Sequence, residues 1–196
     1  MKKGTIIILV IVAVVAIVAF WAIGGYNGLV TAEEKVNAQW ANVESQYQRR
    51  ADLIPNLVST VKGYAAHESQ TLEDVVAARA RATQVTIDPE NLTPEKLQEF
   101  QAAQGQLSSA LGRLLMITEN YPDLKANQNF LELQAQLEGT ENRIAVERMR
   151  FNEMAQAYNT SIRRFPRSIL ASMFGFEKKP YFEAEAGASQ APRVEF

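Results

Sequence analysis

The sequence has no cysteine and a single histidine, His67, among its 196 residues. The lack of cysteine excludes disulfides, thiolate catalysis, iron–sulfur clusters and cysteine-based zinc sites, and one histidine cannot build a histidine metal cage. Basic and acidic residues nearly cancel, with 20 Lys plus Arg against 22 Asp plus Glu, so a general basic surface suited to nucleic acid is also missing. We therefore predict neither a cofactor or metal nor a nucleic-acid partner.

Short catalytic motifs are missing as well. The chain has no phosphate-binding loop, no dinucleotide fingerprint, no HExxH and no GxSxG. Glutamates and arginines alternate over residues 138–153, but a di-iron site of the ferritin type needs Glu-x-x-His, and no histidine lies there. The alternation is typical of a solvated helix face with ion pairs. We predict that the protein is not an enzyme and has no catalytic residues.

One long apolar run is present, and it covers residues 6–23 without a charge, with Ile6 and Ile23 at its ends. As a helix it would be roughly 27 Å long, close to the thickness of the hydrocarbon core of a bilayer. The apolar region of a cleaved signal peptide is shorter, at about 7–15 residues. We predict an uncleaved transmembrane anchor over residues 5–24 after a short flank, 1–4, with Trp21 at a membrane interface.

The charges beside the span give its orientation. Lys2 and Lys3 precede it, whereas Lys35 follows it together with Glu33 and Glu34. Under the positive-inside rule this bias favours an amino terminus in the cytoplasm and the rest of the chain outside. A cytoplasmic location of the rest of the chain is the alternative.

Beyond the span, apolar and aromatic side chains recur in steps of four and three, which is typical of one face of an amphipathic helix. Arg50 occupies the slot of this seam that is not apolar. Further along, Thr93 followed by Pro94 predicts the first turn of another helix. The seam of the first helix comprises Val36, Trp40, Val43, Tyr47, Ile54, Leu57, Val61 and Tyr64.

Proline-containing stretches at 86–94, 121–122 and 165–166 separate the helical patterns. Short loops between long helices favour antiparallel neighbours. We therefore predict an all-α fold, in which an N-terminal transmembrane helix is followed by an antiparallel up-and-down bundle of three to four long helices over residues 26–182. Residues 183–196 are too small and polar to fold alone, so we predict a flexible polar tail there.

Pro55 leaves two interpretations of the first helix, kinked or broken. The apolar spacing stays in phase across Pro55, which favours one kinked helix over residues 26–85. In the alternative, Asp52 caps a new helix and Pro55 lies in its first turn, so that the bundle has four helices of comparable length.

The favoured interpretation has a consequence for assembly. A helix of that length extends beyond its partners, so its membrane-proximal stripe would lack a partner in the same chain. An exposed apolar patch of this kind usually marks a site of association. We therefore predict self-association through Val36, Trp40, Val43 and Tyr47.

Two long strings carry a family resemblance. Both resemble segments of the LemA family: the first is YNGLVTAEEKVNAQWANVESQYQRRADLIPNLVSTVKGYAAHE, and the second is YPDLKANQNFLELQAQLEGTENRIAVERMRFNEMAQAYNTSIRRFP, which is followed by FGF and YFE. The resemblance implies a bacterial, single-span protein of the cell (inner) membrane with a helical bundle, no accepted enzymatic activity, and the bundle on the cytoplasmic side. Kink and turn positions in that pattern are Asp52, Pro55, Asn56, Tyr121, Pro122 and Pro166.

Two functions follow as hypotheses. The first is a membrane-anchored, non-catalytic helical scaffold that self-associates near the membrane surface as a homo-oligomer, because anchoring in the bilayer raises the effective concentration of its copies. The alternative is an adaptor or sensor, in which a groove between helices or the patch ILASMFGF receives a peptide or another membrane protein such as a protease.

Overall fold

The computed structural model describes residues 3–183, and within that range the chain is helical and has no strand. The all-α prediction is confirmed. Met1, Lys2 and the predicted tail beyond Glu183 lie outside the described residues. The helices are α1 (Lys3–Lys62), α2 (Ser69–Gln84), α3 (Pro94–Thr118), α4 (Pro122–Lys125), α5 (Gln128–Arg163) and α6 (Arg167–Phe174), with a 3-10 turn at Pro89–Asn91.

The first helix passes through Pro55 without a break, and Asp52 and Asn56 lie inside it. The alternative in which Asp52 caps a new helix is therefore wrong. The favoured interpretation is right about Pro55 but wrong about the helix end, because α1 stops at Lys62 rather than continuing to residue 85. Gly63 follows at once, and glycine is among the poorest residues for continuing a helix.

Helix α1 tolerates Pro55 because another residue replaces the hydrogen bond that proline cannot make. Proline has no backbone N–H, so the carbonyl of Ala51, one turn earlier, loses its usual donor. Ala51 is buried, and an unpaired carbonyl there would be costly. Arg79 of α2 supplies the donor, with its Nε 2.7 Å from the Ala51 carbonyl oxygen.

The predicted start of the second helical pattern is confirmed. Thr93 precedes α3, its hydroxyl oxygen accepts from the backbone N–H of Lys96 at 3.3 Å, and Pro94 opens the helix. Glu95 lies in the first turn. A hydrogen bond from its own backbone N–H and, with a smaller effect, a hydrogen bond with Thr93 lower the pKa of its carboxyl.

The chain divides into two compact units. Unit one comprises the chain up to Ala38 together with Glu153–Lys179, and unit two comprises Gln39–Asn152 together with the segment from Pro180. In unit two, side chains from α1 to α5 bury one apolar core. Its largest members include Ile54, Leu57, Val61, Leu72, Leu107, Leu111, Leu114, Leu124, Phe130 and Leu137.

Unit one has its own packing, which involves the part of α1 before Ala38 and the segment that follows α6. Tyr26 of α1 meets the rings of Phe174 and Phe176 edge to face, with centroids 4.8 and 5.7 Å away. Asn159 of α5 pairs with both backbone groups of Lys179, donating to its carbonyl at 2.8 Å and accepting from its N–H at 2.9 Å. This pairing fixes the segment after α6 along α5.

Candidate functional site

The described residues hold no metal-binding constellation. Among residues 3–183, no group of three or more His, Asp or Glu side chains is placed to bind a metal ion. His67 is exposed in the turn between α1 and α2. Its neighbour Glu68 accepts a hydrogen bond from the hydroxyl of Tyr121 at 2.9 Å, and this bond raises the pKa of Tyr121. The remaining candidates are binding surfaces and buried polar contacts.

The stripe predicted to join copies of the chain is buried inside one chain. Trp40 is 1% exposed and Val43 is fully buried, while Val36 and Tyr47 are 1% and 6% exposed. The expectation that this stripe lacks a partner in the same chain is therefore wrong, and self-association of the chain stays a prediction. That expectation assumed that the other helices are too short to reach this part of α1, but α5 runs over 36 residues and the chain returns after α6.

Aromatic rings from three parts of unit two cover Trp40. Phe182 stacks on the indole at a centroid distance of 5.9 Å, and Phe100 of α3 and Phe151 of α5 meet it edge to face at 5.3 and 5.7 Å. Asn152 positions the backbone of Phe182. Its side-chain N–H donates to the Phe182 carbonyl at 2.9 Å, and its side-chain oxygen accepts from the Phe182 N–H at 2.8 Å. Trp40 is thus a core anchor of this unit and not a free contact residue.

Arg50 forms the polar centre of unit two. It is 1% exposed, and its Nη1 lies 2.6 Å from Glu141 Oε1 of α5 and 2.9 Å from Ser108 Oγ of α3. Its Nη2 lies 2.6 Å from Gln104 Oε1, and Gln104 donates in turn to the carbonyl of Ala82 at the end of α2. One arginine therefore links α1, α3 and α5 directly and α2 through Gln104.

The electrostatics of this centre suit a structural role. The Arg50 guanidinium lies over the ring of Tyr47, 5.1 Å from its centroid. Burial raises the pKa of Tyr47, while the positive charges of Arg148 and Arg50 oppose that rise. The Glu141 side chain is 45% exposed, so water still solvates part of the carboxylate. The pair links α1 to α5 in unit two.

Sequence reasoning missed the role of Arg50, Glu141 and Arg79. A signal for Arg50 existed, because a charged residue on an otherwise apolar seam needs a buried partner. A signal for Arg79 also existed in principle, because Pro55 leaves a carbonyl without a donor. Neither signal identifies the partner. Glu141 lies 91 residues from Arg50 along the chain, and Arg79 lies 28 residues from Ala51.

The residues predicted at kinks and turns occupy two kinds of position. Tyr121 lies between α3 and α4, and Pro122 opens α4. Pro166 lies between α5 and α6. Pro55, with its neighbours Asp52 and Asn56, lies within α1 as described above.

The predicted anchor residues are exposed in the chain. Ile6, Ile23 and Trp21 are 48%, 58% and 40% exposed, and none of the most apolar stretch of α1 is buried against other parts of the described chain. This stretch is long and apolar enough to cross a membrane.

An open apolar groove runs between the end of α1 and α2 in unit two. Its volume is about 420 Å³, and Val58 of α1 and Leu72, Val76 and Ala80 of α2 line it. Lys62 and Glu73 place one charge of each sign at its lining. Val76 is 51% exposed. The groove suits an apolar side chain or a helix edge of a partner.

The chain is similar to proteins of one family. The model of the LemA family matches residues 39–196, which begin where unit two begins. Magnetosome protein MamQ of Magnetospirillum gryphiswaldense is 30% identical over 186 residues, covering 86% of this chain and 68% of that protein. Magnetosome protein MamQ 2 of Paramagnetospirillum magneticum is 29% identical, covering 99% and 78%. Protein LemA of Metamycoplasma hominis is 23% identical, covering 84% and 72%.

Proposed function

Since the chain belongs to the LemA family, we propose that it is a membrane-anchored, non-catalytic helical adaptor that binds a helical segment of another membrane protein. The anchoring part rests on residues 6–23, whose large apolar side chains find no cover in the described chain. Exposure of these side chains to water would cost about 25 cal/mol for each Å² of apolar surface. A bilayer is the solvent that removes this cost.

The proposal places the protein in the bacterial inner membrane with a single pass. The charge bias around the span favours unit two outside the cytoplasm, and the family resemblance favours the cytoplasmic side. A cysteine at the exposed position Met116 distinguishes the two, because the natural chain has no cysteine. Labelling of Met116→Cys by an impermeant thiol reagent on intact cells supports the outside location, and labelling only after lysis supports the cytoplasm.

We assign unit two an antiparallel up-and-down bundle as its architecture. Its support is the shared core of α1, α2, α3 and α5 together with the short connections between consecutive helices, which favour antiparallel neighbours.

The adaptor function rests on one observation, the apolar groove between α1 and α2. The side chains of the stripe from Val36 to Tyr47 are buried in the chain, whereas Val76 in the groove is exposed to solvent. Amphipathic helices bind such grooves through apolar side chains spaced along one face. Attachment to the bilayer also confines the groove to the membrane surface, which raises the effective concentration of other membrane proteins.

Site-specific photo-crosslinking in intact cells tests this function. A photoreactive residue at Val76 should yield a crosslink to another membrane protein, and the same residue at Val146, an exposed valine of α5, should not. Introducing Val76→Glu should abolish the crosslink formed from a probe at Ala80. Equal products from Val76 and Val146, or none from Val76, would contradict the adaptor function. Crosslinks between copies of the chain would favour the scaffold function with a homo-oligomer instead.

A further inference from the structure

Helix α6 packs against α1 immediately after the apolar span. Cδ1 of Leu170 lies 2.6 Å from the point where a side-chain carbon at Gly25 would stand, so a larger residue at 25 would require the Leu170 side chain to shift. Arg167 lies beside Gly28 in ordinary van der Waals range, with its Nη2 3.6 Å from the corresponding point. Gly25, Gly28 and α6 all belong to unit one. These contacts place α6 beside the part of α1 that follows the span.

That position corresponds to the headgroup layer of a membrane. Gly25 and Gly28 lie about 3 and 8 Å beyond the end of the span at Ile23, at about 1.5 Å per helical residue. The polar layer on each side of the hydrocarbon core is roughly 5–8 Å thick. When residues 6–23 fill the core, α6 therefore lies at the level of the lipid headgroups.

The outer face of α6 is apolar and has no cover in the described chain. Leu170 and Ala171 face inward and are buried, whereas Ile169 and Met173 are 49% and 71% exposed. Phe165, just before the helix, is 82% exposed. Clustered apolar side chains that stay open on a small helix usually mark an interaction surface.

Basic side chains flank this apolar face. Arg163, Arg164 and Arg167 are exposed, and within residues 3–183 none of them forms an ion pair with a carboxylate. Arg167 donates to the Ser161 hydroxyl at 3.1 Å. Arginines beside a membrane span attract the phosphates of anionic lipids. Apolar residues next to arginines are the composition of helices that lie in a membrane interface.

We infer that α6 and its flanking arginines form an interfacial lipid-binding element, which inserts Phe165, Ile169 and Met173 into the membrane that holds the anchor. The inference rests on the proposed membrane anchoring and goes beyond it, because it gives unit one a second attachment to the same bilayer. The occupant of this face is the bilayer and not another protein. Its position beside the span and its charge both point to anionic lipid.

Fluorescence quenching in vesicles tests the inference on the full chain. An environment-sensitive fluorophore is attached to Met173→Cys, and the protein is reconstituted into phosphatidylcholine vesicles that contain phosphatidylglycerol. Lipids with a nitroxide near the headgroup should quench this label. Met116→Cys is the matched control, since Met116 of unit two is also a methionine and is 73% exposed, and its label should not be quenched.

A third label separates this inference from the anchoring on which it rests. A label at Phe20→Cys should be quenched by nitroxides deeper in the acyl chains. If Phe20 is quenched and Met173 behaves like Met116, the lipid-binding role of α6 is wrong and the anchor stands. If Phe20 also escapes quenching, the anchoring is wrong and the inference fails with it.

Charge removal tests the choice of lipid. Arg163→Gln with Arg164→Gln leaves the contact of Arg167 with Ser161 in place. We expect stronger quenching of the label at position 173 in vesicles with phosphatidylglycerol than in vesicles of phosphatidylcholine alone. The pair of changes should remove this difference. Unchanged dependence on anionic lipid would overturn the assignment of these arginines. A Met173 label that is shielded from an aqueous quencher but not reached by lipid nitroxides would show protein on this face and overturn the inference.

Discussion

Two stretches of α1 both carry large apolar side chains but have opposite surroundings. Over residues 6–23 the large side chains are exposed, and over residues 36–61 the seam side chains are buried. The first stretch is apolar on every face, whereas the second carries its apolar residues on one face only. The difference shows that the first stretch is suited to lipid and the second to other helices of the same chain.

The comparison also explains why the stripe from Val36 to Tyr47 is covered within one chain. Periodicity over this stretch indicates that one face is covered, and Phe100, Phe151 and Phe182 supply the cover of Trp40. The span has no such periodicity, and within residues 3–183 it has no such cover. An apolar pattern with a helical period is therefore better evidence of an internal core than of a contact between copies.

The two tryptophans of the chain give the largest expected contrast. Trp40→Ala should lower the free energy of unfolding of unit two by about 3–5 kcal/mol, because it leaves a cavity among three aromatic rings. Trp21→Ala should change it by less than about 0.5 kcal/mol, because Trp21 lies outside this core. Urea unfolding of detergent-solubilised protein, followed by circular dichroism, measures both. Equal losses would remove the distinction between the two stretches.

The buried charge on the seam gives the next largest effect. Arg50→Met should cost about 1–3 kcal/mol, because the buried Gln104 loses its donor. The partly exposed Glu141 adds little, since water can solvate its carboxylate. The control is Arg113→Met, at an exposed arginine of α3, which should shift the unfolding midpoint hardly at all. If both variants unfold at the same urea concentration, Arg50 is not the polar centre described.

A double-mutant cycle tests how the buried stretch tolerates proline. Arg79→Leu should cost about 1–2 kcal/mol, because the buried carbonyl of Ala51 loses its donor. In a Pro55→Ala background the restored backbone N–H can donate to Ala51, so the same change should cost less. The free energies of unfolding of the four proteins give the coupling. A cost of Arg79→Leu that is independent of residue 55 would contradict this explanation.

The smallest effect concerns pH. The pKa of Tyr47 is raised above 10.0, chiefly by burial, so its neutral form is favoured in the folded state. Below pH 10.0 the phenol is neutral in both states and this contribution is fully present; it is lost as the pH rises through 10.0 and the unfolded state ionises first.

Tyr47→Phe should therefore reduce the loss of stability above pH 10.0. Unfolding midpoints measured on both sides of this pH test it. An identical alkaline slope in the natural chain and Tyr47→Phe would show that Tyr47 is not the group responsible.

Much of the fold could be predicted from residue patterns, because helix period and proline positions are local signals. The apolar stretch at residues 6–23, the burial of the seam from Ile54 to Val61 and the start of α3 at Thr93 and Pro94 all follow from neighbours in the chain. The end of α1 was misjudged because apolar spacing continues past Gly63 to Tyr64. Apolar spacing alone therefore does not fix where a helix ends.

The contacts that organise unit two could not be predicted from sequence alone. Arg50 shows that a partner is needed, but Glu141 becomes that partner only when α5 packs beside α1. Phe182 comes from a segment without periodicity and is placed by Asn152. Such pairings depend on three-dimensional packing over long sequence separations. The exposure of the stripe from Val36 to Tyr47 was mispredicted for this reason.

Membrane extraction of the full chain tests the central claim most directly. Cells that express the protein are fractionated, the membranes are washed with alkaline carbonate, and the amino-terminal residues are identified by mass spectrometry. We expect the intact chain, with residues 6–23 present, to stay in the membrane pellet. Recovery of the chain in the wash, or of a shortened chain without these residues in the soluble fraction, would contradict the anchoring on which the function depends.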